Sequence, residues 1–540
     1  MNAKIRAVAR VAAIGLLLLV LTGLVLMLVR PGLDPAKIKP LPLVAFAWIV
    51  FLAAAWLLRK VAVRTAVGLI LAGGIVIQLA ALSAPPQNSS DLYRYMWDGR
   101  VQAHGIDPYR YAPADKGVVK LRNHFLWSSR GPHHYVDCVP TTTNHVNHAD
   151  GLVAGCTKLN RPRVPTIYPP VAEAYFLAVQ VGAPADNSTT PIQTAAVVCA
   201  LLTTLVLLYG LRMLGRNTRL AALWAWCPMI ALEAGNSAHV DVLAVLFTAV
   251  ALLVLARAET EGRTMLGGVL LGLAVATKVT PLLVVPAILR RRWWLLMTAS
   301  AGAAIGLVYA PHAMAVGSKI IGFLPGYLKQ QGYSTGSGFN LIDLVVHGKL
   351  AIVAAAIVLG LIVLAVLRFS DPGQPWRGAV VMTGSALAVA TPHYQWYAVL
   401  LVMLVALDGR AEWLALAAAG YLPAEPDMGS LTIPKPWPAV VAYGTGALIA
   451  YSGMVIRYRN ARRAAPAVAS PAPAAETAAL PAFDPASADV HAASAEADAA
   501  PGVTVISQNV TVIPGKPHET AGADAPGSAG APDDTREVRV

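Results

Sequence analysis

Long apolar runs alternate with short loops carrying Arg and Lys from residue 11 to residue 456. A helix rises 1.5 Å per residue, so about twenty apolar residues cross a hydrocarbon layer roughly 30 Å thick. The pattern places membrane segments near 11–29, 43–58, 66–83, 191–213, 219–234, 240–256, 265–277, 280–290, 293–312, 347–367, 378–391, 395–407, 411–423 and 438–456. It predicts an all-α polytopic membrane protein with about 14 membrane segments, several of them short or re-entrant. The pairs beside "AGNSAHVD" (234–241) and "ATKVTP" (276–281) are the shortest.

Two apolar stretches need separate treatment. The first segment follows the basic "MNAKIRAVAR" with no small-residue cleavage site, and reads as an uncleaved signal anchor. "YPPVAEAYFLAVQVGA" (168–183) is too short to cross, and its two prolines open a re-entrant or surface helix.

Basic loops set the orientation. With the N-terminus inside, "RKVAVR", "GRNTR", "RAETEGR", "RRRWW" and "RYRNARR" all fall inside, and residues 84 to about 165 form a large outer loop. Both termini are then cytoplasmic, in a cell (plasma) membrane. The expected organisation is 1–83 N-terminal transmembrane segments, 84–190 an outer loop with a surface or re-entrant helix, 191–460 transmembrane core, and 461–540 a disordered Ala/Pro-rich acidic tail. Within the tail, "VTVISQNVTVIPG" (503–515) has the pattern of a strand or docking segment.

Composition supports the membrane reading. The chain of 540 residues is 56% hydrophobic and 13% charged, with a mean hydropathy of +0.57. Its net charge of +13 hides two unlike parts, because Ala464–Val540 holds ten acids and three bases and leaves about +20 for the rest. Positive-inside loops account for part of that excess, and contacts to phosphate or anionic lipid would use more. No P-loop, no Ser-centred nucleophile elbow and no cytoplasmic loop large enough for a nucleotide-binding domain occurs, and no nucleic-acid partner is implied.

Polar chemistry gathers on the outer side. If "DLYRYMWDGR" is helical, Asp91, Tyr95 and Asp98 share one face at i, i+4 and i+7, with Arg94 between the acids. A salt-bridged helix start is the plain reading of this spacing. The loop also supplies Tyr93, Trp97 and Tyr109 for stacking on a sugar, Asp107 and Glu173 as further carboxylates, and Arg161 and Arg163 just before "YPP". At span ends stand His239 and Asp241 in "GNSAHVD", Lys278 in "TKVTP", the segment "GYLKQQGYSTGSGFN" (326–340), and His393 and Tyr397 in "TPHYQWY". Singly these are interfacial anchors, and their convergence on one side is what suggests a site.

Cys199 and Cys227 lie in apolar spans as small core residues. Cys138 and Cys156 share the outer loop and are expected to form a disulfide. His133, His134, Asp137, His145, His148 and Asp150 are candidate ligands for a divalent metal, although nothing in the sequence fixes their geometry. No cofactor or resident metal is assigned.

The ordered set of an outer-loop Asp, "GIDPY", "YPP", "GNSAHVD", "LGLAVATKVTPLLVVP" and a late "PHYQWY" resembles membrane glycosyltransferases of GT-C type over about residues 10–460. The nearest likeness is to bacterial family 87 (also known as DUF2029), which includes actinobacterial mannosyltransferases of cell-envelope lipids. The resemblance implies a polyprenyl-phosphate sugar donor, a lipid or glycan acceptor, reaction at the outer face, and an outer-loop aspartate as general base in an inverting displacement. Carried onto this chain, that aspartate is Asp91, with Asp98 as its rival. Lys278 with Arg161 or Arg163 would hold the leaving phosphate, and His239 or His393 would bind phosphate or sugar. The stretch 121–164 is an insertion relative to shorter relatives. A lipid-linked sugar transporter or flippase, and a non-catalytic envelope scaffold, are the competing readings.

Overall fold

A computed structural model describes residues 3–30, 40–127, 156–183, 187–424 and 434–464, together with two two-residue strand pairs at 146–147/152–153 and 427–428/431–432. Cys138, the six candidate metal ligands of the outer loop and the tail from 465 lie outside the described residues.

The main helices are α1 (Ala3–Val29), α2 (Pro40–Leu58), α3 (Val63–Leu82), α4 (Asp91–Ala103), α5 (Pro170–Gly182), α6 (Thr190–Met213), α7 (Asp241–Ala256), α8 (Glu261–Val275), α9 (Trp294–Val316), α10 (Lys349–Phe369), α11 (Pro375–Ala390), α12 (Val399–Asp408) and α13 (Trp437–Ala464). The chain is an all-α polytopic membrane protein. Seven described segments are long and apolar enough to cross a membrane, and an eighth arises if Pro228–Asn236 and Asp241–Ala256, bent by 119°, form one broken span.

Each of the fourteen apolar runs lands on helical structure, but not each makes a spanning helix. Pro228 cuts the 219–234 run, which becomes short helical turns ending in a π-helix at Ala231–Asn236. The 280–290 run is a 3₁₀ segment, Thr280–Ala287. The 10-residue α12 is buried along its whole length. Hydropathy rewards burial against protein as much as exposure to lipid, so interior helices imitate spans in the sequence.

Helix α1 packs on α2 and α3, and α8 lies between α7 and α9. The α8–α9 approach depends on Gly268 and Gly272, where an added Cβ would come within 2.4 Å of the Met297 carbonyl oxygen and 2.5 Å of that of Ala301. This small-xxx-small spacing lets two backbones meet where apolar burial alone gives little driving force.

Outside the long spans, α4 and α5 pack against one another. Asp91 occupies the favourable acidic first turn of α4, Arg100 the basic last turn, and Gly105 at φ +73° reverses the chain after it. Pro169 and Pro170 start α5, as the two-proline signal predicts.

Candidate functional site

Asn236 fixes the relation between the start of the outer segment and the broken span. Its amide donates to the carbonyl oxygens of Ala81, Ala84 and Pro85 at 3.0–3.3 Å, and its side-chain oxygen accepts from the Gln87 N–H at 2.9 Å. Two residues on, buried Ala238 adopts φ +52°, a conformation an L-residue enters at a cost. That bend and the preceding π-turn aim His239 and Asp241 at α4.

Asp91 is only partly buried, at 14% side-chain exposure, and its Oδ2 lies 3.9 Å from His239 Nδ1. Asn160 donates to its other oxygen. Ser90, the N-cap of α4, makes no side-chain capping bond, and the Asp91 N–H donates to Ser89 Oγ at 3.2 Å. His239 is completely buried, stacked on Trp396 with ring centroids 4.1 Å apart, and its Nε2 is 3.3 Å from Glu233 Oε2. Gln395 donates to the other Glu233 oxygen at 3.0 Å.

On the next side, Lys278 Nζ meets Asp241 Oδ2 at 3.0 Å and lies 5.6 Å and 5.8 Å from the ring centroids of Tyr168 and Tyr397. The Val171 N–H donates to the Ala276 carbonyl oxygen at 3.0 Å, which ties the start of α5 to the loop that carries Lys278. Tyr397 shares a hydroxyl–hydroxyl hydrogen bond with Tyr327. Arg161, at φ +46°, donates to Gln330 Oε1 at 3.0 Å and lies 5.6 Å over the Tyr327 ring. Tyr95 stacks on Phe176 at 4.4 Å and meets Tyr168 edge-on at 5.0 Å. Burial first, and then the Asp91 charge, raises the Tyr95 and Tyr168 phenols well above their ordinary range, so both enter the site neutral.

The structure therefore gathers Asp91, Tyr95, Arg161, His239, Asp241, Lys278 and Tyr397. It sets other expected residues apart. Asp98 is 2% exposed, with both carboxylate oxygens accepting from Arg94 Nε at 2.8 and 2.9 Å. Arg94 in turn reaches the Val164 carbonyl oxygen at 3.1 Å. Glu173 is fully buried and accepts from Thr166 Oγ1 at 2.7 Å and Gln102 Nε2 at 2.9 Å. Burial raises the Asp98 carboxyl against the opposing pull of Arg94, and burial with the Asp98 charge raises Glu173 well above its usual range. This network joins α4 to α5 beneath the cluster.

Trp97 is buried at 1% against Trp127, and Tyr109 is buried with its hydroxyl donating to the Tyr168 carbonyl oxygen at 2.6 Å, so neither offers a face to a sugar. Tyr93 is half-buried beside Phe125. Asp107 pairs with His312 Nδ1 at 2.7 Å. Arg163 is exposed. His393 is half-buried edge-on to Tyr394, and burial lowers its imidazole from the ordinary value. Cys156 is disulfide-bonded, and Cys199 and Cys227 are free and buried. Among the described residues no cluster of three or more His, Cys, Asp or Glu is arranged to hold a metal.

Sequence reasoning missed Asn160, Glu233, Gln395 and the stacked Tyr394–Trp396 pair, whose centroids are 4.4 Å apart. Glu233 did carry a signal, as a lone carboxylate inside the apolar "MIALEAGN".

Residues 167–392 match the sequence model of glycosyltransferase family 87. The match covers less than half of the chain and is a similarity of this segment to that family. The match supports a membrane glycosyltransferase, and the matched segment contributes Tyr168, Glu233, His239, Asp241, Lys278 and Tyr327 to the cluster. Asp91, Asn160 and Arg161 reach it from before that segment, and Trp396 and Tyr397 from after it. No curated protein and no solved structure matches the chain.

Proposed function

We propose that the protein transfers a hexose, mannose in the first instance, from a polyprenyl-phosphate donor to a glycolipid or polysaccharide acceptor of the cell envelope, with inversion at the anomeric carbon. The reaction takes place on the outer face of the plasma membrane, with both termini cytoplasmic, as the basic loops suggest. The observation that carries this reading is the meeting of a partly exposed carboxylate, Asp91, with the cations Lys278 and Arg161 in one aromatic-walled cluster of a chain whose residues 167–392 match family 87.

The acceptor hydroxyl gives its proton to Asp91 as its oxygen bonds to the anomeric carbon. The bond from that carbon to the phosphate oxygen breaks, and its electron pair leaves on the lipid phosphate. Lys278 and Arg161 stabilise the charge that develops there. Asp241 pairs with Lys278, so donor phosphate competes with Asp241 for the ammonium. Arg163 and His393 are given no part at the reacting bond, while Asp98 and Glu173 hold the scaffold.

The test is a membrane assay offering polyprenyl-phosphate mannose and polyprenyl-phosphate arabinose in parallel. A glycosidic product from the mannose donor supports the reading. Product from arabinose alone moves the donor class, and movement of labelled lipid between leaflets without a glycosidic bond replaces the enzyme with a transporter.

A further inference from the structure

His239 is a fully buried imidazole whose two ring nitrogens have no conventional hydrogen-bond partner, yet each faces a carboxylate, Asp91 at 3.9 Å and Glu233 at 3.3 Å. Glu233 Oε2 is likewise buried without a conventional partner. Unsatisfied polar atoms at this depth are costly, and they concentrate here on a π-turn followed by a residue at positive φ. The fold thus strains its backbone to hold three titratable groups in a row. A phosphate or sugar cannot reach His239 directly, because the ring is closed off by Trp396 and has no exposed surface.

We propose that Glu233 and His239 act as positioning residues for Asp91, in a one-proton array that is completed only as the acceptor's proton arrives. Glu233 Oε2, 3.3 Å from Nε2, favours a proton on that nitrogen without forming a conventional hydrogen bond, and so selects the tautomer that turns the Nδ1 lone pair toward Asp91. While Asp91 is a carboxylate the two acceptors face each other unbonded, consistent with the 3.9 Å gap. When Asp91 takes the proton from the acceptor hydroxyl, its new O–H donates to Nδ1. The bond is therefore made in the reacting state and not in the ground state, which is the condition for accelerating a step. No further proton leaves the array during transfer, and Asp91 releases its proton to solvent through its partly exposed side.

The other groups facing the imidazole are the Asp241–Lys278 pair, whose charges offset one another at 3.0 Å. The Tyr95 and Tyr168 phenols, near Asp91, are neutral. Gln395 holds the remaining Glu233 oxygen.

This inference rests on Asp91 as base, and its test separates the two. The tautomer of His239 is read by ¹⁵N NMR of the ring nitrogens in the full-length protein in detergent, with His239→Asn to assign the signals. Transfer from radiolabelled polyprenyl-phosphate mannose is measured on the same variants in membranes. The array predicts Nε2–H in the wild type and a switch to Nδ1–H in Glu233→Gln, whose amide donates to Nε2 instead of accepting from it. It predicts that kcat falls about tenfold or more in Glu233→Gln with donor KM unchanged. His239→Asn, which keeps a polar atom where Nδ1 lies, retains more transfer than His239→Gln. The same tautomer in wild type and Glu233→Gln, or wild-type kcat in that variant, overturns the array. Full transfer by Asp91→Asn overturns the base and the array with it, whereas loss in Asp91→Asn with Glu233→Gln and His239→Gln both at wild-type kcat removes the array alone.

Discussion

Two aspartates seven residues apart on α4 have opposite surroundings. Asp91 keeps 14% of its side chain exposed and looks toward His239, Lys278 and Arg161, while Asp98 is 2% exposed and has both oxygens on Arg94. Helical spacing puts them on one face, but that face runs from the open cluster into the α4–α5 packing. A carboxylate whose oxygens are already taken by a buried guanidinium has little capacity left to accept a substrate proton. One held by a single amide beside an unsatisfied imidazole retains it. Position on a helix nominates candidates, and the surroundings decide between them.

The comparison breaks most sharply at Asp91. Asp91→Asn should lower transfer by about 10²–10⁴-fold, the usual worth of a general base, with little change in thermal midpoint. Asp98→Ala should do the reverse. It leaves the Arg94 guanidinium buried without its partner, and a loss of about 3–5 kcal/mol in stability is expected, read as a lower midpoint and less folded protein in the membrane.

A smaller effect is expected at the phosphate side. Lys278→Ala should reduce kcat/KM for the donor by about 10²-fold, the scale of one lost electrostatic contact to a developing anion. Lys278→Arg should recover only part, since a planar guanidinium does not replace an ammonium packed between two tyrosine rings. Full activity in Lys278→Ala would leave Arg161 as the phosphate ligand.

The smallest effect concerns Glu173. Burial and the Asp98 charge raise its carboxyl well above the ordinary range, so the folded protein keeps this proton to higher pH than the unfolded chain does. Stability from this residue is therefore present at low pH and declines as pH rises above about 4.3 toward the folded-state value. Glu173→Gln, which keeps the shape and the Gln102 and Thr166 neighbours, should flatten that decline in a pH series of thermal midpoints. An unchanged slope would mean that Glu173 is ionised in the folded state.

The helical, membrane-spanning character of the chain was legible because apolar runs are long and their period needs no tertiary context. The number of crossings was not, since α12 is apolar through burial in protein and the 219–234 run is cut at Pro228. The cluster was legible in outline, because polar residues interrupting apolar sequence at Asp91, His239, Asp241, Lys278 and Tyr397 are costly anywhere except at a site. Trp97 and Asp98 were misleading for the same reason, as an aromatic or a charge looks alike in sequence whether it faces substrate or a buried partner. Glu233 was visible as a lone acid in an apolar run. Its meaning depended on the positive φ at Ala238, which no sequence pattern announces.

The central claim is that α4 carries one reactive and one structural aspartate. Its most direct test is the transfer rate per folded molecule, from polyprenyl-phosphate mannose, for Asp91→Asn and Asp98→Asn prepared in the same membranes. The account predicts a rate at least about 10²-fold below wild type for Asp91→Asn and, for the folded fraction of Asp98→Asn, a rate close to wild type. Near-normal transfer by Asp91→Asn, with loss in folded Asp98→Asn, would contradict it and give the base role to Asp98.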